Sequence, residues 1–127
     1  MRTFCLCLLL CLGLSACQHE SIDPNRLLGS WNGGGVVYTF EADGSFTATY
    51  PFTGYAEDTI LASSLWGLYT TDDRRNNVEM RALGYVGKSG EVIQQPLKQV
   101  TWSYSFPNDT TLRYESRTAI GYLYRTP

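Results

Sequence analysis

Val100-Thr101-Trp102-Ser103-Tyr104-Ser105-Phe106 decides the fold. Large apolar side chains at 100, 102, 104 and 106 alternate with small hydroxyl residues at 101, 103 and 105. Successive side chains of a β-strand point to opposite faces, so this period of two predicts a strand with one packed side and one wet side. Val100, Trp102, Tyr104 and Phe106 are therefore expected on one buried face.

The same signal repeats outward from this strand. Val36-Val37-Tyr38-Thr39-Phe40 and Ser45-Phe46-Thr47-Ala48-Thr49-Tyr50 flank Glu41-Ala42-Asp43-Gly44, where Asp-Gly supplies a turn tolerant of positive φ. Residues 65–71 and 77–85 form a second expected hairpin around 72–76, with Val78, Met80 and Ala82 alternating against Glu79 and Arg81. Pro107-Asn108-Asp109-Thr110 turns the chain into a strand at 111–116, and a last strand covers 119–125. Residues 51–59 read as a loop, and 84–96, with three glycines and a proline, as a long connection holding one short strand at 91–94. Upstream, residues 21–29 read as a short helical turn, with Asp23 as cap, Pro24 at the first helical position and Gly29 at its end. Seven or eight strands and no helix-length periodicity predict an all-β domain over 27–127, an antiparallel up-and-down β-barrel. A β-sandwich is the alternative; closure is favoured because short sequential turns pair neighbouring strands and a barrel leaves no exposed edge.

Charge and cysteine placement exclude several kinds of chemistry. Removing residues 1–16 from the 127-residue chain leaves 111, with nine Lys/Arg against twelve Asp/Glu and no basic block, so nucleic acid is not an expected partner. All four cysteines lie at 5, 7, 11 and 17 and the one histidine is His19, so the β domain has no thiol nucleophile, disulfide, Ser-His-Asp set or His/Cys metal site. A serine nucleophile would need Lys88 or Lys98 as base, and no Gly-x-Ser-x-Gly elbow is present. Gly33-Gly34-Gly35 lacks the spacing of a phosphate loop and reads as a flexible start to a strand. Glu57-Asp58 and Asp72-Asp73 are neighbours in sequence, which a strand sends to opposite faces, and Arg74-Arg75 sits in a polar turn. The expectation is a non-enzymatic domain without cofactor or metal.

The N-terminus carries the most specific motif. Met1-Arg2-Thr3, an apolar run from Phe4 to Leu14 and a small-residue cleavage site make a secretory signal peptide over 1–16. Leu14-Ser15-Ala16-Cys17 resembles the lipobox of bacterial lipoproteins. That resemblance implies cleavage before Cys17, a thioether from its thiol to diacylglycerol, and a further palmitate-type acyl chain on the new amine. Several buried chains anchor far more firmly than one. Residues 17–26 then form a lipidated tether. In that family a residue other than Asp after the cysteine directs a Gram-negative product to the outer membrane, so Gln18 implies an outer-membrane anchor with the domain facing the periplasm.

A second resemblance concerns the domain. Leu28-Gly29-Ser30-Trp31 after a helical turn, with Arg125 near the end of the last strand, is similar to the lipocalin (calycin) pattern. There a Gly-x-Trp on the first strand packs its indole at the closed end of the barrel beneath an arginine from a late strand; Arg117 is the competitor for that role. The resemblance implies a buried Trp31 under an arginine.

Sixteen of the 111 residues are aromatic. They either fill the barrel or line a pocket at its mouth, in which case Tyr38, Trp102 and Tyr104 are the expected ligand-binding residues. The functional expectation is a membrane-anchored, lipocalin-like binding module for a small hydrophobic or amphipathic molecule. The alternative is an envelope protein-interaction or inhibitor module acting through loops at 51–59 and 84–96.

Overall fold

A computed structural model describes residues 23–57, 60–72 and 74–126. The expected signal peptide at 1–16, the lipidation site Cys17 and the tether as far as residue 22, including His19, lie outside the described residues. A 3-10 turn at Pro24–Leu27 precedes nine strands: β1 (Gly29–Gly33), β2 (Val36–Phe40), β3 (Ser45–Glu57), β4 (Ile60–Asp72), β5 (Asn77–Gly87), β6 (Val92–Ile93), β7 (Val100–Asn108), β8 (Thr111–Glu115) and β9 (Ile120–Arg125). All pairings are antiparallel. Neighbours in sequence pair from β1 to β5, β5 passes to β7, and β9 returns to β1, closing an eight-stranded barrel. The short β6 is an addition to it, paired with Tyr85 and Val86 near the far end of β5.

The turns follow from local chemistry. Asp23 caps the 3-10 turn by accepting from the Asn25 amide at 3.0 Å, and Gly29 leaves the turn at φ 110°. Between β2 and β3 the Asp43 carboxylate accepts from both the Ser45 amide and the Ser45 hydroxyl, which holds its pKa below the usual value, while Gly44 adopts φ 89°. Asn108 makes the corresponding bonds to the amide and hydroxyl of Thr110 in the β7–β8 turn. Gly34 and Gly35 lie at φ 61° and 84° between the paired residues Gly33 and Val36. The triglycine is thus a two-residue hairpin loop, which needs positive φ at both central positions, and not a flexible start to a strand.

One expected loop is strand. Residues 51–57 continue β3 to Glu57, paired to β4 with register shifts between Thr49 and Gly54 and between Tyr55 and Glu57. Pro51 and Gly54 punctuate the sequence like a loop, but a bulged strand accommodates both residues while pairing resumes beyond them. The expected connection over 84–96 is also shorter than the sequence suggests: β5 runs to Gly87, and β6 and the segment 94–99 lie along the same edge of β5, tied by a bond from the Leu97 amide to the Ala82 carbonyl at 3.0 Å.

The barrel closes through few backbone pairs, Trp31 with Arg125 and Asn32 with Tyr124, supplemented by the Thr126 amide donating to the Ser30 carbonyl. A side-chain clamp reinforces this seam. Trp31 is fully buried and donates from Nε1 to the Leu27 carbonyl at 2.8 Å. The Arg125 guanidinium lies 4.2 Å from the centre of the Trp31 ring and donates to the carbonyls of Leu28 at 2.9 Å and Arg26 at 2.8 Å. The arginine over Trp31 is therefore Arg125, not Arg117. Leu27 and Phe106 pack beneath, and Arg26 covers the Phe106 ring at 4.4 Å, so the 3-10 turn seals this end of the barrel. Arg125→Ala should lower unfolding stability by roughly 1–3 kcal/mol, the scale of a cation–π contact plus charge-assisted bonds at an exposed residue. Arg125→Lys should recover less than half of that loss, because an ammonium lacks the planar fork that reaches two carbonyls while stacking. Urea denaturation checks both, and wild-type stability in Arg125→Ala would show the seam to be independent of the clamp.

Candidate functional site

The inward rows of the strands do not fill the barrel evenly. Tyr104 and Phe106 on β7 pack edge to face at 5.7 Å, and Phe106 touches Trp31, so this part of the row belongs to the sealed end. Towards the start of β7 the interior is hollow. A cavity of about 210 Å³ is lined by Tyr38, Phe46, Ala48, Tyr50, Leu65, Met80, Ala82, Leu97, Lys98, Val100 and Trp102.

Register explains the hollow. Tyr38 pairs with Ala48, Ala48 with Leu65, and Phe46 with Gly67, which in turn pairs with Ala82. Ala48 on β3 and Ala82 on β5 thus place only methyl groups, and Gly67 on β4 between them no side chain, where larger side chains would interdigitate, and native packing density is lost there. Leu97, only 8% exposed, reaches in from the 94–99 segment to cover part of the space. Val100 and Lys98 both line the cavity and are exposed, so they mark its mouth. Of the four residues expected to be buried in the Val100 row, Trp102 and Tyr104 are, Phe106 is half-buried, and Val100 departs most, at 44% exposed. The cause is its position: β7 begins there, and the adjoining segment is a loop that leaves the first inward side chain uncovered.

Of the three residues expected to bind a ligand, the fold brings two together. Tyr38 meets Trp102 edge on at 5.0 Å, and Trp102 stacks on Tyr114 at 4.5 Å with planes 25° apart. Tyr114 lies flat over β9 because its partner Gly121 has no side chain; a Cβ there would run into the phenol ring. Tyr104 does not line the cavity and is buried against Phe106. Strand alternation predicts which face a residue occupies but not its depth along the barrel axis, and depth separates Trp102 from Tyr104. The alternating rows at 46–50 and 78–82 carried a signal for Phe46, Ala48, Tyr50, Met80 and Ala82. Leu97 and Lys98, in an aperiodic segment, carried none.

The chemistry of the lining is apolar with phenol tips. Burial pushes the Tyr38 phenol well above its ordinary pKa, and the neighbouring phenols of Tyr50 and Tyr114 add to the effect; burial raises Tyr50 as well. These hydroxyls stay protonated and act as neutral donors and acceptors. Among the described residues, no three His, Cys, Asp or Glu side chains cluster to hold a metal. Comparison with protein-family models, with curated proteins and with solved structures returned no match.

The raised phenols set an alkaline limit on the fold. Folded Tyr38, Tyr50 and Tyr69 hold their protons more tightly than the unfolded chain does, so their contribution is intact below the ordinary tyrosine pKa of 10.0 and is lost as pH rises past it. Ultraviolet titration of tyrosinate should show Tyr38, Tyr50 and Tyr69 ionising above the ordinary value, together with unfolding. Phe substitution at each assigns its share of the signal, and ionisation of these three near the ordinary value with the fold intact would contradict this account.

Proposed function

We propose that this chain is a membrane-anchored lipoprotein whose lipocalin-like barrel binds one compact apolar or amphipathic molecule and does no chemistry on it. The open cavity beside Trp102 is the observation that carries the binding reading. Its size limits the occupant: an engineered apolar cavity of about 150 Å³ takes up benzene, so about 210 Å³ suits one ring or a short acyl segment and not a whole lipid. The Trp31–Arg125 clamp supports the likeness to lipocalins, which the sequence suggested from Gly29, Trp31 and Arg125. An interaction role through loops loses much of its support, because 51–57 is strand and 84–87 belongs to β5.

The anchor rests on the lipobox-like Leu14-Ser15-Ala16-Cys17, with Gln18 favouring the outer membrane and a domain facing the periplasm. The chain from Cys17 to Asp23 spans at most about 20 Å when extended, and it joins the barrel at the end sealed by the 3-10 turn.

Two experiments test the two halves of this reading. Ala48→Phe should fill the cavity and weaken binding of the single-ring probe nitrobenzene, read through quenching of tryptophan fluorescence, by about tenfold or more. Equal binding by the variant, or no binding by the wild type, would refute a ligand-binding cavity. Cys17→Ser removes the thiol that accepts diacylglycerol, so the fatty-acid label should disappear on metabolic labelling, and the variant should remain an unlipidated precursor or leave the membrane by another cleavage. Unlabelled wild-type protein in the soluble fraction would remove the anchor.

A further inference from the structure

Among the described residues, the cavity has one charged residue in its lining. Ten of the eleven described lining side chains are aromatic or aliphatic, and the eleventh, Lys98, stands exposed at the mouth. Arg81 and Glu79 both lie on the exposed outer side of β5, where the Arg81 guanidinium donates a long contact of 3.5 Å to Gln99, and neither belongs to the lining. Resting on the binding reading above, we propose that the cavity selects compact carboxylates, with a single ring or short chain in the barrel and the carboxylate held at the mouth by Lys98.

Physical chemistry favours this arrangement over the alternatives. Burying an unpaired carboxylate deep among Leu65, Met80 and Trp102 would strip its hydration without compensation. At the exposed mouth it keeps water on one side while its apolar body leaves water entirely. A charge-assisted bond to an ammonium adds to the apolar gain, whereas an amine would meet a like charge at the same place. Lys98 already has a partner within the fold, and its three donors allow it to share a carboxylate with that partner. The protonated phenols of Tyr38 and Tyr50 further in supply neutral donors and present no negative charge to an entering anion.

The test is calorimetric titration of the purified protein at neutral pH and low salt with benzoate, hexanoate, benzyl alcohol and benzylamine. The two acids should bind about tenfold or more tightly than benzyl alcohol, the gain expected of a hydrogen bond to a charged group, and benzylamine should bind weakest. Lys98→Met should erase the preference for benzoate over benzyl alcohol, and Lys98→Arg should retain it. Benzyl alcohol binding as well as benzoate, or a preference that survives Lys98→Met, would overturn the assignment while leaving the cavity a binding site. Failure of all of these probes to bind would overturn the binding reading and this assignment with it.

Discussion

The barrel depends on its closure between β1 and β9. Between the other neighbours of the eight-stranded barrel four or more residues are in register, but here only Trp31 with Arg125 and Asn32 with Tyr124 are. Such a short ladder is weak by itself, and an open sheet of this length would expose two unpaired edges. Arg125 compensates through its shape. One planar guanidinium stacks on Trp31 and bonds two carbonyls of the segment before β1, so it ties the last strand to the first strand and to the 3-10 turn at once. The interior exists as an enclosed space only because this seam holds.

Closure also divides the interior. At the sealed end the rings of Trp31, Phe106 and Tyr104 pack together beside the buried Leu27, and this end is solid. Because that half is filled, the other half tolerates small side chains at Ala48 and Ala82. The hollow of about 210 Å³ opens to solvent beside Val100 and Lys98, so water can occupy it and the packing forgone there costs less than a sealed void of the same volume would.

Much of the fold was legible because the deciding signals are local. Asp43-Gly44 and Asn108-Asp109-Thr110 specify turns by their own side-chain bonds, and alternation at 100–106 specifies a strand. Trp31 and Arg125 are ninety-four positions apart by number, and their meeting was readable only through a family pattern. What sequence did not reveal was set by tertiary context. Residues 51–57 became strand because β4 offers a partner across two irregularities, despite Pro51 and Gly54. The depth of Tyr104 relative to Trp102 depends on barrel shear, and the position of Lys98 depends on how a loop folds back over β5; neither leaves a periodic trace.

The size of the cavity constrains the role of the proposed ligand. A molecule of about nine non-hydrogen atoms, at roughly 0.6 kcal/mol each for a well-seated small ligand, gains about −5 kcal/mol, a Kd on the order of 100 μM. Binding of that strength is reversible on short timescales, and it responds to changes in ligand concentration where tight binding would saturate. A mouth that includes the exposed Val100 and Lys98 favours the same behaviour, because the ligand can leave without strands parting. On the proposed binding reading, a clamped, solid end and a hollow, open-mouthed half favour fast exchange of the ligand over long-term storage.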